Sequence, residues 1–195
     1  MVKSLFKNWI KTGCILVVCI ITTQVNADVS ISEFFIEPLP GTMTDKEKAE
    51  SAIAPVDYVV VKKGQRKLFL YAGADLVKSY SIALGKQPKG QKEREGDSKT
   101  PEGLYTLDWR NPHSKFFRSI HVSYPSISQA RNAKEAGIDP GGAIMIHGQP
   151  NDWSERIKLT FAHKDWTEGC IALENQDMIE VWDLVKDGTP IEIKP

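Results

Sequence analysis

Residues 166–173 read Trp-Thr-Glu-Gly-Cys-Ile-Ala-Leu, and this segment limits the possible folds more than any other part of the chain. The apolar residues after Cys170 predict a short buried strand. Gly169 directly before the cysteine permits a tight turn, because glycine adopts backbone conformations that other residues avoid. The segment therefore predicts a turn that presents the Cys170 thiol at the exposed start of a strand.

The rest of the chain from residue 56 onward consists of short β-like runs separated by turn residues. The alternation of apolar and polar residues predicts strands at 56–62, 67–71, 76–84, 103–109, 119–123, 143–147, 170–173 and 190–193. Two helices are predicted, one over 126–136 with a serine cap and one after Asn175, whose apolar face carries Met178, Ile179, Trp182 and Val185. These elements predict a mainly β, α+β domain with a mixed sheet rather than alternating βαβ units.

The first 27 residues have the pattern of a secretory signal peptide. Three lysines precede an apolar run at 14–21, and Val25-Asn26-Ala27 provides a small-residue cleavage pattern. The apolar run is too short to span a bilayer, which requires about 20 residues, so we expect no stable membrane span after cleavage. A lipoprotein anchored at Cys14 or Cys19 is the alternative. Residues 28–55 are polar and proline-containing, and they predict an N-terminal extension before a domain at 56–195.

Cleavage after residue 27 changes both the charge and the cysteine content. Removing the three lysines leaves 22 basic residues against 25 acidic ones, a net charge of about −3. This balance argues against nucleic acid as a partner. Cys170 then remains as the single cysteine of an exported chain, so it cannot form an internal disulfide. It is either a packed thiol or a nucleophile.

A cysteine nucleophile requires a base, because a thiol is only a few per cent ionised near neutral pH. The apolar run at 143–146 ends at His147, and Gly148 follows. A strand at this position would deliver the imidazole to the rim of the sheet, with open space beside it at Gly148. The sequence thus proposes His147 as the base, with a histidine that merely ends a strand as the alternative.

Several motifs resemble those of the L,D-transpeptidase (YkuD-like) catalytic domain. Ile146-His147-Gly148 and Thr167-x-Gly169-Cys170-Ile171 are similar to its histidine and cysteine motifs. Residues 82–85, 96–105 and 187–193 resemble further segments of that family in the same order, so the resemblance spans 56–193. It implies an L,D-transpeptidase-like mixed β-sandwich.

The resemblance also implies a reaction, namely acyl transfer at an L,D peptide bond of a peptidoglycan stem peptide in the periplasm or cell envelope. Cys170 would attack the carbonyl, His147 would take the thiol proton, and the backbone of Gly169 would donate to the oxyanion. The acceptor amine would come from a second stem peptide, giving a 3-3 cross-link, or from a protein such as a wall-anchored lipoprotein. Neither a metal nor an organic cofactor is required. With water as the acceptor, the same site would be an L,D-carboxypeptidase or would release proteins from the wall.

Four residues beside the predicted pair are expected to contact substrate: Gly148, Trp166, Thr167 and Glu168. The chain departs from the family at two positions, because many members have histidine at Glu168 and arginine at Ala172. The long interval between His147 and Cys170 predicts an insertion at 151–164 that forms a lid or a groove wall. We expect the remaining histidines to be structural or on the surface; they are His113, His121 and His163. The alternatives are that His121 lines the cleft from a neighbouring strand and that His163 orients the site or serves as another base.

Two other function classes remain as alternatives. A redox or metal-binding thiol protein requires a second cysteine or a cluster of ligands, and the exported part of the sequence offers neither with suitable spacing. A non-catalytic wall-binding module requires only that Cys170 be packed and His147 be incidental. The paired motifs and their order favour the enzyme.

Overall fold

The computed structural model describes residues 55–160 and 164–195. The predicted signal peptide, nearly all of the predicted extension and His163 lie outside the described residues. The strands are β1 Tyr58–Lys62, β2 Lys67–Ala72, β3 Asp75–Ser81, β4 Gly103–Ser114, β5 Phe117–Val122, β6 Met145–His147, β7 Ile171–Ala172 and β8 Thr189–Lys194. Each overlaps a predicted strand, so the mainly β fold class is confirmed.

All eight strands belong to one sheet, with the order β3-β2-β1-β8-β4-β5-β6-β7. The β1–β8 and β6–β7 pairs are parallel and the other pairs are antiparallel, which makes the sheet mixed, as predicted. The segment after β3 leaves its own edge and reaches the opposite edge. There Ala83 bridges to Ala172 on β7, and Gly85 bridges to Thr167 in the turn before β7. The sheet therefore curls into a half-barrel.

The concave core is formed by every second residue along the strands, as the pleat of a sheet requires. Val59, Leu68, Leu107, Ile146 and Ile171 are fully buried in it. A buried aliphatic side chain of this size contributes about 1.5–3 kcal/mol to folding. Because Ile146 and Ile171 point into the core, their neighbours on β6 and β7 point to the other face of the sheet, where the predicted site residues lie.

Three short helices accompany the sheet: α1 Ile127–Glu135, α2 Trp153–Thr160 and α3 Asn175–Leu184. Helix α1 has the predicted serine cap, since Ser126 and Gln129 form a reciprocal capping box. Helix α2 was not predicted as a helix and lies within the predicted insertion. No helix among the described residues is both long enough and apolar enough to cross a bilayer.

The predicted apolar face of α3 was partly wrong. Met178, Val181 and Val185 are fully buried, whereas Ile179 is 40% exposed. Residues three and seven positions after Met178 share its side of a helix, while the next residue is rotated by about 100°. Trp182 is half-buried and packs against the edge of the core, as predicted.

Candidate active site

The turn before β7 is organised by Thr167. Its hydroxyl donates to the Cys170 carbonyl at 2.7 Å and accepts the Gly169 N–H at 3.1 Å. Gly169 has φ +132°, and a Cβ at this position would lie 2.7 Å from the Lys99 carbonyl oxygen. Both the backbone conformation and the close approach therefore require glycine before the cysteine.

The thiol of Cys170 is half-buried above the start of β6. Its Sγ lies 3.6 Å from the Ala143 carbonyl oxygen, and Ala143 itself has a positive φ of 52°. Burial raises the pKa of the Cys170 thiol, and it outweighs the opposing effects of the Met145 backbone and the Lys92 charge. The resting side chain is therefore a neutral thiol.

The imidazole of His147 is only 3% exposed at the end of β6. Its Nδ1 lies 2.7 Å from the Gly148 carbonyl oxygen, which can only accept a hydrogen bond, so Nδ1 carries the proton. Burial lowers the pKa of His147 to about 4, although the bond to Gly148 acts in the opposite direction. The ring is consequently neutral near pH 7, and its Nε2 has a lone pair able to accept a proton.

Strand register brings these two residues onto one face of the sheet. Ile146 pairs with Ile171 and His147 pairs with Ala172 in the parallel β6–β7 ladder. Cys170 precedes Ala172 by two residues, so it shares the face of His147 and lies diagonally across from it. From the spacing of strands and the rise per residue, their Cα atoms are about 8 Å apart. Side chains of this length can meet across such a separation.

The aromatic surroundings of His147 explain its burial. The centroid of the Phe116 ring lies 4.6 Å from that of the imidazole, and the centroid of the Trp166 ring, which approaches edge-on, lies 5.6 Å from it. These two rings also contact each other at 5.9 Å. The structure therefore gives Trp166 a role in covering the imidazole. Its predicted contact with substrate stays a prediction.

Gly148 and Thr167 are both buried and hold the site together. A Cβ on Gly148 would lie 2.6 Å from Asn175 Oδ1 and 3.0 Å from Phe117 Cβ. The expected open space beside the imidazole is therefore filled by the start of α3.

The Gly169 N–H is already bonded to Thr167, so donation to an oxyanion would require that this N–H be shared.

Glu168 connects the cysteine turn to the 86–102 loop. Its exposed carboxylate accepts hydrogen bonds from Lys86 Nζ and Ser98 Oγ, and these bonds, with Lys86 as the larger influence, lower its pKa. In this chain, the position at which many family members carry histidine is therefore occupied by an anion that two loop residues hold in place.

The 86–102 loop is anchored by the ion pairs of two buried lysines and borders the cysteine turn. Lys63 is 2% exposed, and its Nζ donates at 2.8 Å to Gly90 O, Thr100 O and Glu102 Oε1. Lys92 is 5% exposed and donates to Asp97 at 2.8 Å. Asp97 also accepts three backbone N–H groups, from residues 93, 94 and 99. Two buried lysines thus fix the loop whose Lys99 carbonyl packs against Gly169.

A groove of about 540 Å³ adjoins the site on the side of Trp166 and Ala172. Helix α2 forms one wall of it through Trp153, Arg156 and Ile157. The described part of the predicted insertion therefore lines a groove beside the imidazole. Among the described residues, no group of three or more histidine, cysteine or acidic side chains is arranged to hold a metal ion.

The two described histidines outside the pair have different environments. His113 is exposed on β4, as expected. His121 lies on β5, where its Nδ1 is 2.7 Å from Asp108 Oδ1 and its ring stacks on Trp109 at 4.8 Å. The sequence indicated neither contact, because both depend on the register between β4 and β5.

A family model described as the L,D-transpeptidase catalytic domain (YkuD) matches residues 56–193. The chain belongs to the L,D-transpeptidase family. A putative L,D-transpeptidase, YafK from Escherichia coli K12, is 28% identical over 151 residues, which cover 74% of this chain and 53% of YafK. The family predicted from the histidine and cysteine motifs is thereby confirmed.

Solved structures share the fold of this chain. The helical cell shape determining protein Pgp2 from Campylobacter jejuni is 27% identical, with a TM-score of 0.55 over 73% of this chain and 49% of Pgp2. Bd1075 from Bdellovibrio bacteriovorus matches in fold at 24% identity, with a TM-score of 0.50 over 73% of this chain and 48% of Bd1075. This chain spans about half the length of these relatives.

Proposed function

We propose that this protein is a peptidoglycan L,D-transpeptidase that works through a thioester on Cys170. The observation that carries the proposal is the position of Cys170 and His147 on one face of adjacent strands, about 8 Å apart by register. A neutral thiol and a neutral imidazole whose Nε2 is unprotonated form a suitable resting pair for general-base catalysis. Membership of the family supports the same chemistry.

In the first half-reaction, Sγ attacks the carbonyl carbon of the L,D bond while the thiol proton passes to His147 Nε2. The carbonyl oxygen becomes an oxyanion next to the cysteine turn, where backbone N–H groups of Cys170 and Gly169 would stabilise it. The C–N bond then breaks, and His147 returns the proton to the departing amine of the D-amino acid. The product is a thioester between the shortened stem peptide and Cys170.

In the second half-reaction, an acceptor amine attacks the thioester carbonyl. The C–N bond forms, the C–S bond breaks, and a proton from the amine passes through His147 to the thiolate. An amine from a neighbouring stem peptide gives a 3-3 cross-link, and a lysine of a wall-anchored lipoprotein gives protein attachment. Because the proposed substrate is peptidoglycan, the proposed location is the periplasm or cell envelope.

The test is incubation of the purified protein with defined disaccharide-tetrapeptide muropeptides, followed by mass spectrometry of the products. Cys170→Ala removes the nucleophile and His147→Gln removes the base, and we expect both to abolish product formation. His113→Gln is the matched control, since His113 is an exposed histidine on β4, which is separated from β6 by β5.

Each outcome has a defined meaning. Dimers linked through the diamino acid, formed only when Cys170 is present, support cross-linking. Tripeptide alone makes the enzyme an L,D-carboxypeptidase. Equal product from wild type and Cys170→Ala would refute the thioester, and no product from any muropeptide would favour a wall-binding module.

A further inference from the structure

A histidine–carboxylate pair lies on the sheet face that carries Cys170. His121 Nδ1 is 2.7 Å from Asp108 Oδ1, and the side chains are 15% and 40% exposed respectively. The indole of Trp109 stacks on the His121 ring at 4.8 Å with an interplanar angle of 16°, and Trp109 is 47% exposed. The reaction proposed above uses none of these three residues.

A β-bulge creates this cluster. Leu107 pairs with Val122 and Arg110 pairs with Ile120, so Asp108 and Trp109 on β4 together oppose the single residue His121 on β5. In a regular ladder, successive side chains point to opposite faces, and only one of the two would reach the imidazole. The bulge brings both Asp108 and Trp109 to the imidazole of His121. Such bulges occur preferentially at sheet edges and beside active sites, where they redirect side chains.

The same register relates the cluster to the nucleophile. His121 pairs with Met145 on β6, and continuation of the β6–β7 ladder sets Met145 opposite Cys170. His121 and Cys170 thus occupy the same row and face of the sheet, two strands and about 10 Å apart at Cα. The thiol itself leans over the start of β6, toward the Ala143 carbonyl. His147 on β6 and His121 on β5 therefore occupy different positions relative to Cys170 on the same face of the sheet.

The cluster has the chemistry of a site for a primary ammonium group. A partly exposed carboxylate attracts the cation, and the free face of an indole is the best aromatic partner for it. Among the described residues, nothing hydrogen-bonds to His121 Nε2, while Nδ1 is held by Asp108. In the tautomer with the proton on Nδ1, Nε2 is the atom able to accept a proton.

We infer that Asp108, Trp109 and His121 form the acceptor site, in which the ammonium group of the acyl acceptor binds and gives a proton to His121. This inference rests on the proposed function. The acceptor arrives as R–NH₃⁺, His121 Nε2 takes one proton, and the resulting R–NH₂ attacks the thioester on Cys170. The second proton then passes through His147 to the thiolate as the C–S bond breaks. His121 finally releases its proton to solvent, which completes the cycle.

The experiment separates acylation from transfer. A tetrapeptide donor whose diamino-acid side-chain amine is acetylated can acylate Cys170 but cannot act as an acceptor. The thioester is followed by intact-protein mass spectrometry, and a separate tripeptide carrying the free amine is then added. The ratio of amide-linked product to hydrolysed donor reports how the thioester is partitioned between amine and water.

For His121→Gln we expect acylation within about twofold of wild type and aminolysis lowered about 100-fold, the usual effect of removing a general base. Asp108→Asn should raise the acceptor KM and leave acylation unchanged, and it tests the site independently if His121→Gln fails to fold. His113→Gln should resemble wild type in both steps, and thermal unfolding of each variant verifies that it is folded.

Three results would overturn the inference. They are unchanged aminolysis in both variants, an equal loss in acylation and aminolysis, and a wild-type thioester that only water resolves. The last result would leave the Cys170 thioester intact while removing the acceptor site. If no thioester forms on wild-type Cys170, the proposed function itself fails, and the inference fails with it.

Discussion

Replacing Lys63 with methionine tests whether the buried lysine holds the loop beside the nucleophile. The substitution keeps the apolar stem but removes a cation that donates to Gly90 O, Thr100 O and Glu102 Oε1. Two carbonyls lose a partner at about 1–3 kcal/mol each, and a partly buried carboxylate loses its counter-ion. New contacts of the thioether recover part of this loss. We therefore expect the free energy of unfolding to fall by about 3–5 kcal/mol, as is typical when one partner of a buried pair is removed.

Urea unfolding of wild type and Lys63→Met measures this difference. Lys89→Met is the matched control, because Lys89 is an exposed lysine of the same loop, and it should change stability by less than about 0.5 kcal/mol. Adding Glu102→Leu to Lys63→Met removes the uncompensated carboxylate and should restore part of the loss. A loss below about 1 kcal/mol for Lys63→Met would refute this reasoning, since the loop would then be held by other contacts.

Further predictions concern the turn, the loop and the thiol. Gly169→Ala should abolish thioester formation in the mass-spectrometric assay. It should also lower the free energy of unfolding by at least about 1 kcal/mol, because φ is +132° and the added Cβ would lie 2.7 Å from Lys99 O. Burial acts to raise the pKa of Asp97, but the hydrogen bonds from Lys92 and the backbone outweigh it and lower the pKa to about 2. The ionised carboxylate therefore stabilises the folded state above its ordinary pKa, and this stabilisation is lost as the pH falls from about 4 to 2. In urea unfolding, Asp97→Asn should thus lower the free energy of unfolding by about 2 kcal/mol at pH 7 and by almost nothing near pH 2. Alkylation of Cys170 by iodoacetamide should keep accelerating above pH 9, and a plateau at neutral pH would show instead a resting thiolate–imidazolium pair.

The periodic parts of the chain were predictable from its sequence. Strands that alternate between core and surface, such as β2 and β8, and a helix with a capping box have local sequence patterns that identify them. Gly169 also indicated the tight turn before Cys170, because only a few backbone conformations, such as its φ of +132°, favour glycine. Helix α2 was missed because its large apolar residues, Trp153 and Ile157, are exposed and give no core-facing periodicity.

The remaining features depend on contacts between distant parts of the chain. The three acceptors of Lys63 Nζ lie 27–39 residues away along the chain, so no local pattern around Lys63 identifies them. The pair of His121 with Asp108 depends on a bulge, and one residue more or less in the register would separate them. Local sequence patterns contain no information about either arrangement.

The bridges from Ala83 to β7 and from Gly85 to Thr167 have a consequence for folding. The strand after the nucleophile is two residues long and is held on one side by β6 and on the other by a segment more than 80 residues earlier in the chain. Pairings of such large sequence separation form slowly and late, because the loop must close before the contact can stabilise it. The turn and strand that carry Cys170 therefore reach their final arrangement only after segments more than 80 residues apart in the chain have paired.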